Sequence, residues 1–514
     1  MELRSFDTLD GQLAWRRVRA WAQSQTMDVP DRLPYELLDR VFGDEGPALQ
    51  RYHEPRRPIW VLSSKKSGTF RIFARVRPLD LIVYQALVDQ LAPAIEAALP
   101  PHQQVGAYRQ QLGHTNEAFV GRPTNDEFRS GIQQHIHGVG GYVLETDISG
   151  FFLGIRLSQL REILLDTSDR ADVVYDVTEM LGQWQQFGLR GLPQGLRTST
   201  PLGNLYLAPL DRLLGRVGLP FYRWLDDMWV LCERYSEARR VQDVMENHLY
   251  SLGLTLNGEK TQIVKAETSM ERLQPAAARW EERREEAVME MLDYADAESL
   301  PSPSEIDRGV TIADHAHLVA SLKEDSLPTD FSSDMSLVFR KLEALGDEHA
   351  LTSIPRILVR APDLSSVAMR YAASLAKKNP AGVSKLFADV LSKERFTRDF
   401  EKLNICHKAL SLKTDKDSEL AKRLGELALN DRHPLVRAKA MLAWGLHSVA
   451  SDFSVADRFL QAAEPEWRAY ALVAIQKKAK AGRDLRFEAW AAEGQPLADV
   501  ATALKSGPIK WTHS

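Results

Sequence analysis

Residues 221–230 read FYRWLDDMWV. The adjacent carboxylates Asp226 and Asp227 sit among aromatic and aliphatic residues, where burying one unpaired carboxylate costs roughly several kcal/mol. Compensation comes either from water at a tight turn, a position that Asp favours, or from a bound cation. Another acid, Asp147, closes the apolar run GYVLETD (141–147). A divalent ion bridging Asp147 and Asp226 would meet the cost. Mg2+ takes one or two carboxylate ligands and completes its shell with water and phosphate oxygens. Successive strand side chains point to opposite faces, so Asp147 and Asp226 are expected as principal metal ligands and Asp227 as an auxiliary one.

The elements that must position these acids lie in the first half of the chain. IWVLSSKKSGTFRIFARV (59–76) predicts two strands around a polar turn. LDLIVYQALVDQLAPAIEAA (79–98) has helical apolar spacing despite its proline. GYVLETDISGFF (141–152) reads as a buried strand ending near its Asp, FYRWLDDMWVLCE (221–233) as a hairpin with the carboxylates at its turn, and ARRVQDVMENHLYSLGLTLN (238–257) as an amphipathic helix running into a glycine turn. This α+β half is expected to extend to residue 265. A charged helix (278–298) and the Pro/Ser-rich stretch SLPSPSE (299–305) form an expected linker region, 266–305. Helical spacing dominates residues 306–514. There VRAKAMLAW (436–444) aligns with WRAYALVAI (467–475), and more loosely with MRYAASLAK (369–377), which places Arg437, Arg468 and Arg370 in equivalent positions. Such a period suits stacked helical pairs and resembles HEAT-like repeats, with an irregular helical bundle as the alternative.

At 514 residues the chain exceeds one hydrophobic core, and about three domains are expected. A hydrophobic fraction of 44% and a charged fraction of 26% are those of soluble globular proteins. The net charge of −5 gives no global positive field, although a basic channel inside a mildly acidic whole still admits nucleic acid. Cys232 and Cys406 lack metal-type spacing and fit a reducing cytoplasm, without disulfides or a zinc site. Neither a signal peptide nor a membrane span is expected.

TDISGFF, GLPQGLRTSTPLGNLYLAPLD (191–211), RWLDD and LGLTLNGEKTQ (252–262) follow in order, with KKSGTFRIF and VGAYR (105–109) upstream. These stretches resemble the palm and fingers motifs of reverse transcriptases, the RNA-directed DNA polymerase family, across residues 60–265. The resemblance implies two Mg2+ ions, or Mn2+, held by Asp147, Asp226 and Asp227. It implies that Phe152 is a steric gate against the ribose 2′-hydroxyl, that Lys66 and Arg71 grip the incoming triphosphate, that Gln194 contacts base and sugar, and that Lys260 protonates the leaving pyrophosphate. The residue types suit these tasks: Arg offers a planar fork and Lys a point charge to phosphate. Core packing for Phe152, a solvated hairpin tip for Lys65 and Lys66, and a surface lysine for Lys260 are the bland alternatives. Trp224 stands where the family usually has Tyr, and the expected thumb is replaced by helical repeats.

A palm followed by an α-helical array resembles the abortive-infection group of bacterial reverse transcriptases, which act in phage defence. That resemblance implies a homo-oligomer that makes single-stranded DNA from dNTPs without a template, attached covalently to a protein hydroxyl; Tyr35 and Tyr52 are early-chain candidates for the primer, with ordinary packing the preferred reading of both. An RNA-templated enzyme using a partner non-coding RNA is the alternative, and a non-catalytic helical scaffold the third reading.

Overall fold

The computed structural model describes residues 3–24, 31–49, 52–65, 69–121, 123–139, 141–294, 301–392, 398–412, 418–491, 500 and 504. The chain is α+β, with helices dominant and six short strands in two small sheets among the described residues. It divides into two compact units. One comprises Met1–Val29, Phe42–Trp60 and Ile72–Pro275; the other comprises Pro30–Val41, Val61–Arg71 and Ala276–Ser514.

In the first unit a four-stranded antiparallel sheet has β3 (Tyr142–Thr146) at its centre. β3 pairs on one side with β5 (Asp227–Cys232), which in turn pairs with β4 (Phe221–Trp224), and on the other with β6 (Gln262–Lys265). Both faces of β3 are covered, which explains its nearly continuous apolar sequence. Val143 and Leu231 on one face pack under the helices Asn125–Val139 and Ala266–Leu273, through Phe128, Ile132, Ile136 and Leu273. Glu145 shares that face but is fully matched: Ser269, Gln262 and Arg272 all donate to its carboxylate, at 2.6, 3.0 and 3.1 Å. The helix Pro78–Ala98 starts on a proline, tolerates Pro93, and is buried along most of its length.

The strand expected to end near the Asp of 141–152 does so, at Thr146. Gly150, at φ +58°, turns the chain into the single-turn helix Phe151–Gly154, because the left-handed conformation ends extended pairing. β1 (Ile59–Ser64) and β2 (Phe70–Arg75) form the expected hairpin. Its outer residues, 61–71, belong to the second unit.

That second unit is helical throughout its described residues apart from the hairpin strands. The expected linker SLPSPSE ends inside structure. Ser302 and Glu305 form a capping box that starts the helix Pro303–Ser321, a reciprocal pairing that satisfies two exposed backbone donors. Five helices beginning at Phe331, Ser365, Asp399, Pro434 and Pro465 each pack against the next in the series. A parallel series links those starting at Pro380, Glu419 and Ser454. The repeated arginines now have a physical role. Arg437 donates to Ala428 O and Arg468 to Ala463 O, each neutralising carbonyls at the end of the preceding helix. Arg370 departs from this pattern and pairs with Glu343. Gly445 lets the last two helices of the main series approach, since a Cβ there would lie 2.3 Å from Ala474 O. The segment 30–41 is built into this unit: Asp31, 1% exposed, accepts the Tyr470 hydroxyl at 2.7 and 2.9 Å and pairs with Lys439 at 3.2 Å.

Candidate active site

The register of the sheet brings the acids together. Thr146 faces Met228 and Glu145 faces Trp229, so continuing one residue sets Asp147 opposite Asp227, on the same side of the sheet. Asp147 lies close enough to Asp227 to hold the Asp227 carboxyl above its ordinary value. Asp226 occupies the two-residue turn between β4 and β5. Its neighbour Leu225 sits at φ +60°, a left-handed conformation that a branched side chain adopts only under constraint.

Arg223 supplies that constraint. It is fully buried, holds Asp211 through two contacts of 2.9 and 2.6 Å, bonds Asn204 Oδ1 at 2.9 Å, and donates to Leu225 O at 3.0 Å. Asn204 in turn donates to Ala107 O at 3.1 Å, in the VGAYR stretch, whose Ala107 and Tyr108 also carry positive φ. That stretch lies along the sheet edge: Gly106 N–H donates to Arg223 O, and the Trp224 ring lies where a Cβ on Gly106 would go. Asn204 and Asp211 stand in GLPQGLRTSTPLGNLYLAPLD, where the sequence alone gives neither a role. The signal was available in an arginine inside an apolar run, which needs an anionic partner.

Asp147 is 8% exposed. Its carbonyl accepts the Asn257 N–H at 2.7 Å, and its Oδ2 meets both Asn257 Nδ2 and Lys260 Nζ at 3.1 Å. Asn257 was also missed; it stands in the quoted LGLTLNGEKTQ, three residues before Lys260. Burial, then the charges of Asp227 and Asp147, pushes Asp226 up to about 7. Loss of water and the Asp147 charge drive Asp227 up as well, even though one edge stays open to solvent. Burial works against the Lys260 ammonium, but Asp147, Asp227 and Asp226 outweigh it and raise its pKa. Three carboxylates thus crowd one directly bonded lysine, with Arg129 acting on Asp227 through space.

GLPQG is fixed by backbone. Leu192 N–H donates to Phe152 O at 2.8 Å, and Gly191, at φ +62°, leaves no room for a Cβ, which would fall 1.9 Å from that same oxygen. Gln194 O accepts the Ala74 N–H of β2 at 2.8 Å, which leaves the half-buried Gln194 side chain unused by this bond. Phe152 is half-buried and its ring lies tilted against the buried Phe151, 5.3 Å between centroids, whereas a pure core residue would be closed off. The structure therefore brings Asp147, Asp226, Asp227 and Lys260 together, and bonds Phe152 to GLPQG. Arg71 lies exposed on β2 in the portion assigned to the second unit, and Lys66 lies outside the described residues. Tyr35 and Tyr52 are each 7% exposed and buried in packing, so neither hydroxyl stands ready to act as a primer.

An all-oxygen donor set carrying surplus negative charge has the chemistry that Mg2+ prefers. Among the described residues, no group of three or more His, Cys, Asp or Glu is arranged to hold a metal ion. Lys260 and Asn257 engage one oxygen of Asp147 in this arrangement. A 490 Å³ cavity lies apart from these acids, lined by residues including Glu96, His102, Arg109 and Gln110.

Residues 63–280, which hold the whole cluster and the hairpin, match the family model for reverse transcriptase (RNA-dependent DNA polymerase). The chain carries a reverse-transcriptase domain, and the protein is an enzyme of the nucleotidyltransferase class. Reverse transcriptases use divalent metal ions and bind nucleotides and nucleic acid. Among solved structures, apo telomerase from Candida tropicalis is similar at 10% identity and a TM-score of 0.32, covering 83% of this chain and 70% of that one. No curated protein matches the chain. Among the described residues no helix is long and apolar enough to cross a membrane.

Proposed function

We propose that the protein is a Mg2+-dependent DNA polymerase acting in antiphage defence, which joins dNTPs without a template and starts from a protein hydroxyl. The observation that carries the chemistry is the meeting of Asp147, Asp226 and Asp227 at one end of the sheet, with a protonation burden that a divalent ion would relieve. Two Mg2+ ions, or Mn2+, bound by these carboxylates would neutralise charge on the attacking and leaving oxygens. Lys260 keeps its proton beside Asp147 and can deliver it to the leaving pyrophosphate. Phe152 excludes a 2′-hydroxyl, Gln194 meets the base and sugar, and Arg71 and Lys66 grip the triphosphate.

The defence assignment is supported by the helical array that follows the polymerase domain, which we read as HEAT-like repeats over 306–514 in a homo-oligomer. The second reading, copying of a partner RNA, is favoured by the RNA-dependent activity named for the matched family. Purified protein incubated with Mg2+ and labelled dNTPs, with and without RNase, separates the two. Label that stays with the protein band until protease treatment is the expected result. Synthesis abolished by RNase, with product complementary to a co-purified RNA, overturns template independence.

A further inference from the structure

The strand β2 is held at both ends. Near its inner end Phe73 lies against Gly195, where a Cβ would come within 2.7 Å of the ring, and Ala74 donates to Gln194. Near its outer end Arg398 donates to Ser64 Oγ at 2.7 Å, and its guanidinium lies 4.7 Å over the Phe70 ring. Arg398 is itself fixed, since it precedes the helix Asp399–Ala409 and its backbone N–H donates to Glu401 Oε2 at 3.1 Å. Glu401 is 2% exposed. Ser64, Phe70, Arg398 and Glu401 all belong to the helical unit.

An isolated two-stranded hairpin is marginal in water, so its outer residues need an anchor to keep one geometry. Side chains alternate along a strand, so Arg71 is turned away from the face that Arg398 covers over Phe70. The anchor therefore holds the strand without placing two guanidinium groups together. A guanidinium stacked on an aromatic ring and hydrogen-bonded through one nitrogen has little rotational freedom left.

We propose that Arg398 is a positioning residue for nucleotide binding: it fixes the outer part of the β1–β2 hairpin and so sets the place from which Arg71 reaches a triphosphate. This rests on the reading of Arg71 as a triphosphate ligand.

The test measures dTTP affinity by thermal shift, dTTP KM and kcat, and amide hydrogen exchange, for wild type, Arg398→Ala, Arg398→Lys and Ser64→Ala. In Arg398→Ala, Kd and KM rise roughly three- to tenfold, the scale of one lost charge-assisted hydrogen bond, with kcat little changed. Exchange quickens in 61–64 and 70–71 and nowhere else. Arg398→Lys recovers most of the affinity. Ser64→Ala gives a smaller rise and decides the matter if Arg398→Ala misfolds. Unchanged affinity with unchanged exchange overturns the proposal, as does a fall in kcat alone. Wild-type protein that binds dTTP without incorporating it refutes the polymerase reading instead, and the affinity series still decides the role of Arg398.

Discussion

Two aspartates show how differently the two units handle charge. Asp31 in the helical unit has a lysine at 3.2 Å and a tyrosine hydroxyl on both oxygens, in surroundings as closed as its own. Asp226 in the catalytic hairpin has two more carboxylates for neighbours, and Lys260 acts on it only through space. The first arrangement is complete and spends its charge on holding a helix array together. The second is left short of positive charge, a state that persists only because Arg223 and the sheet register impose it. An excess of like charge in a rigid frame marks the place where a cation and a polyphosphate are to come.

The largest expected effect tests the second half of that contrast. Asp226→Asn should lower nucleotide incorporation by about 10³-fold or more while the fold persists, because an oxygen donor of the two-metal chemistry is lost. Incorporation of labelled dNTP, with circular dichroism as the folding check, measures this; wild-type rates in the variant would erase the distinction between the two aspartates. The helical side is tested by Lys439→Met, which strands Asp31 and should cost about 3–5 kcal/mol in urea unfolding. A loss under about 1 kcal/mol would show that Asp31 does not need its lysine, against the usual cost of an unpaired buried charge.

Phe152→Ala should cut discrimination between dNTP and NTP by roughly tenfold, the scale of a lost steric contact in a fitted pocket. Competition between dTTP and UTP reads it, and unchanged selectivity removes the gate role. The smallest effect sharpens the comparison. Asp226 titrates near 7 in the folded chain, above the ordinary carboxylate value. Its contribution to stability is therefore full at low pH and is lost as pH rises through 7. In metal-free buffer Asp226→Asn should be more stable than wild type at pH 8, and equal to it near pH 4. Added Mg2+ should raise the wild-type Tm at pH 8 and leave the variant nearly unmoved. The reverse order of stabilities would mean that Asp226 is satisfied without a cation.

Much of the catalytic hairpin was legible in sequence because its signals are local. A two-residue turn between apolar strands and an acid closing a third strand show directly in the residue order. Asn257, Arg223, Asn204 and Asp211 were not legible, because what each does depends on a partner that only the folded sheet brings near. Arg223 reads as an oddity in FYRW until Asp211 and the Leu225 carbonyl are seen around it. In SLPSPSE the proline and serine content pointed to a linker, while the same residues spell a capping box, and hydrogen bonding prevailed over composition. The membership of 30–41 and 61–71 in the helical unit had no sequence signal, since it rests on partners more than 300 residues away.

That membership bears on how the chain matures on the ribosome. Asp31 leaves the exit tunnel long before Lys439 and Tyr470, the second of which follows it by 439 residues. Domains that fold as they are made generally finish from the N-terminus onward. Here the segment that holds Asp31 must wait for the helices that hold Lys439 and Tyr470, so a message cut short before residue 439 leaves an incomplete enzyme with an acidic group exposed and its partners never made.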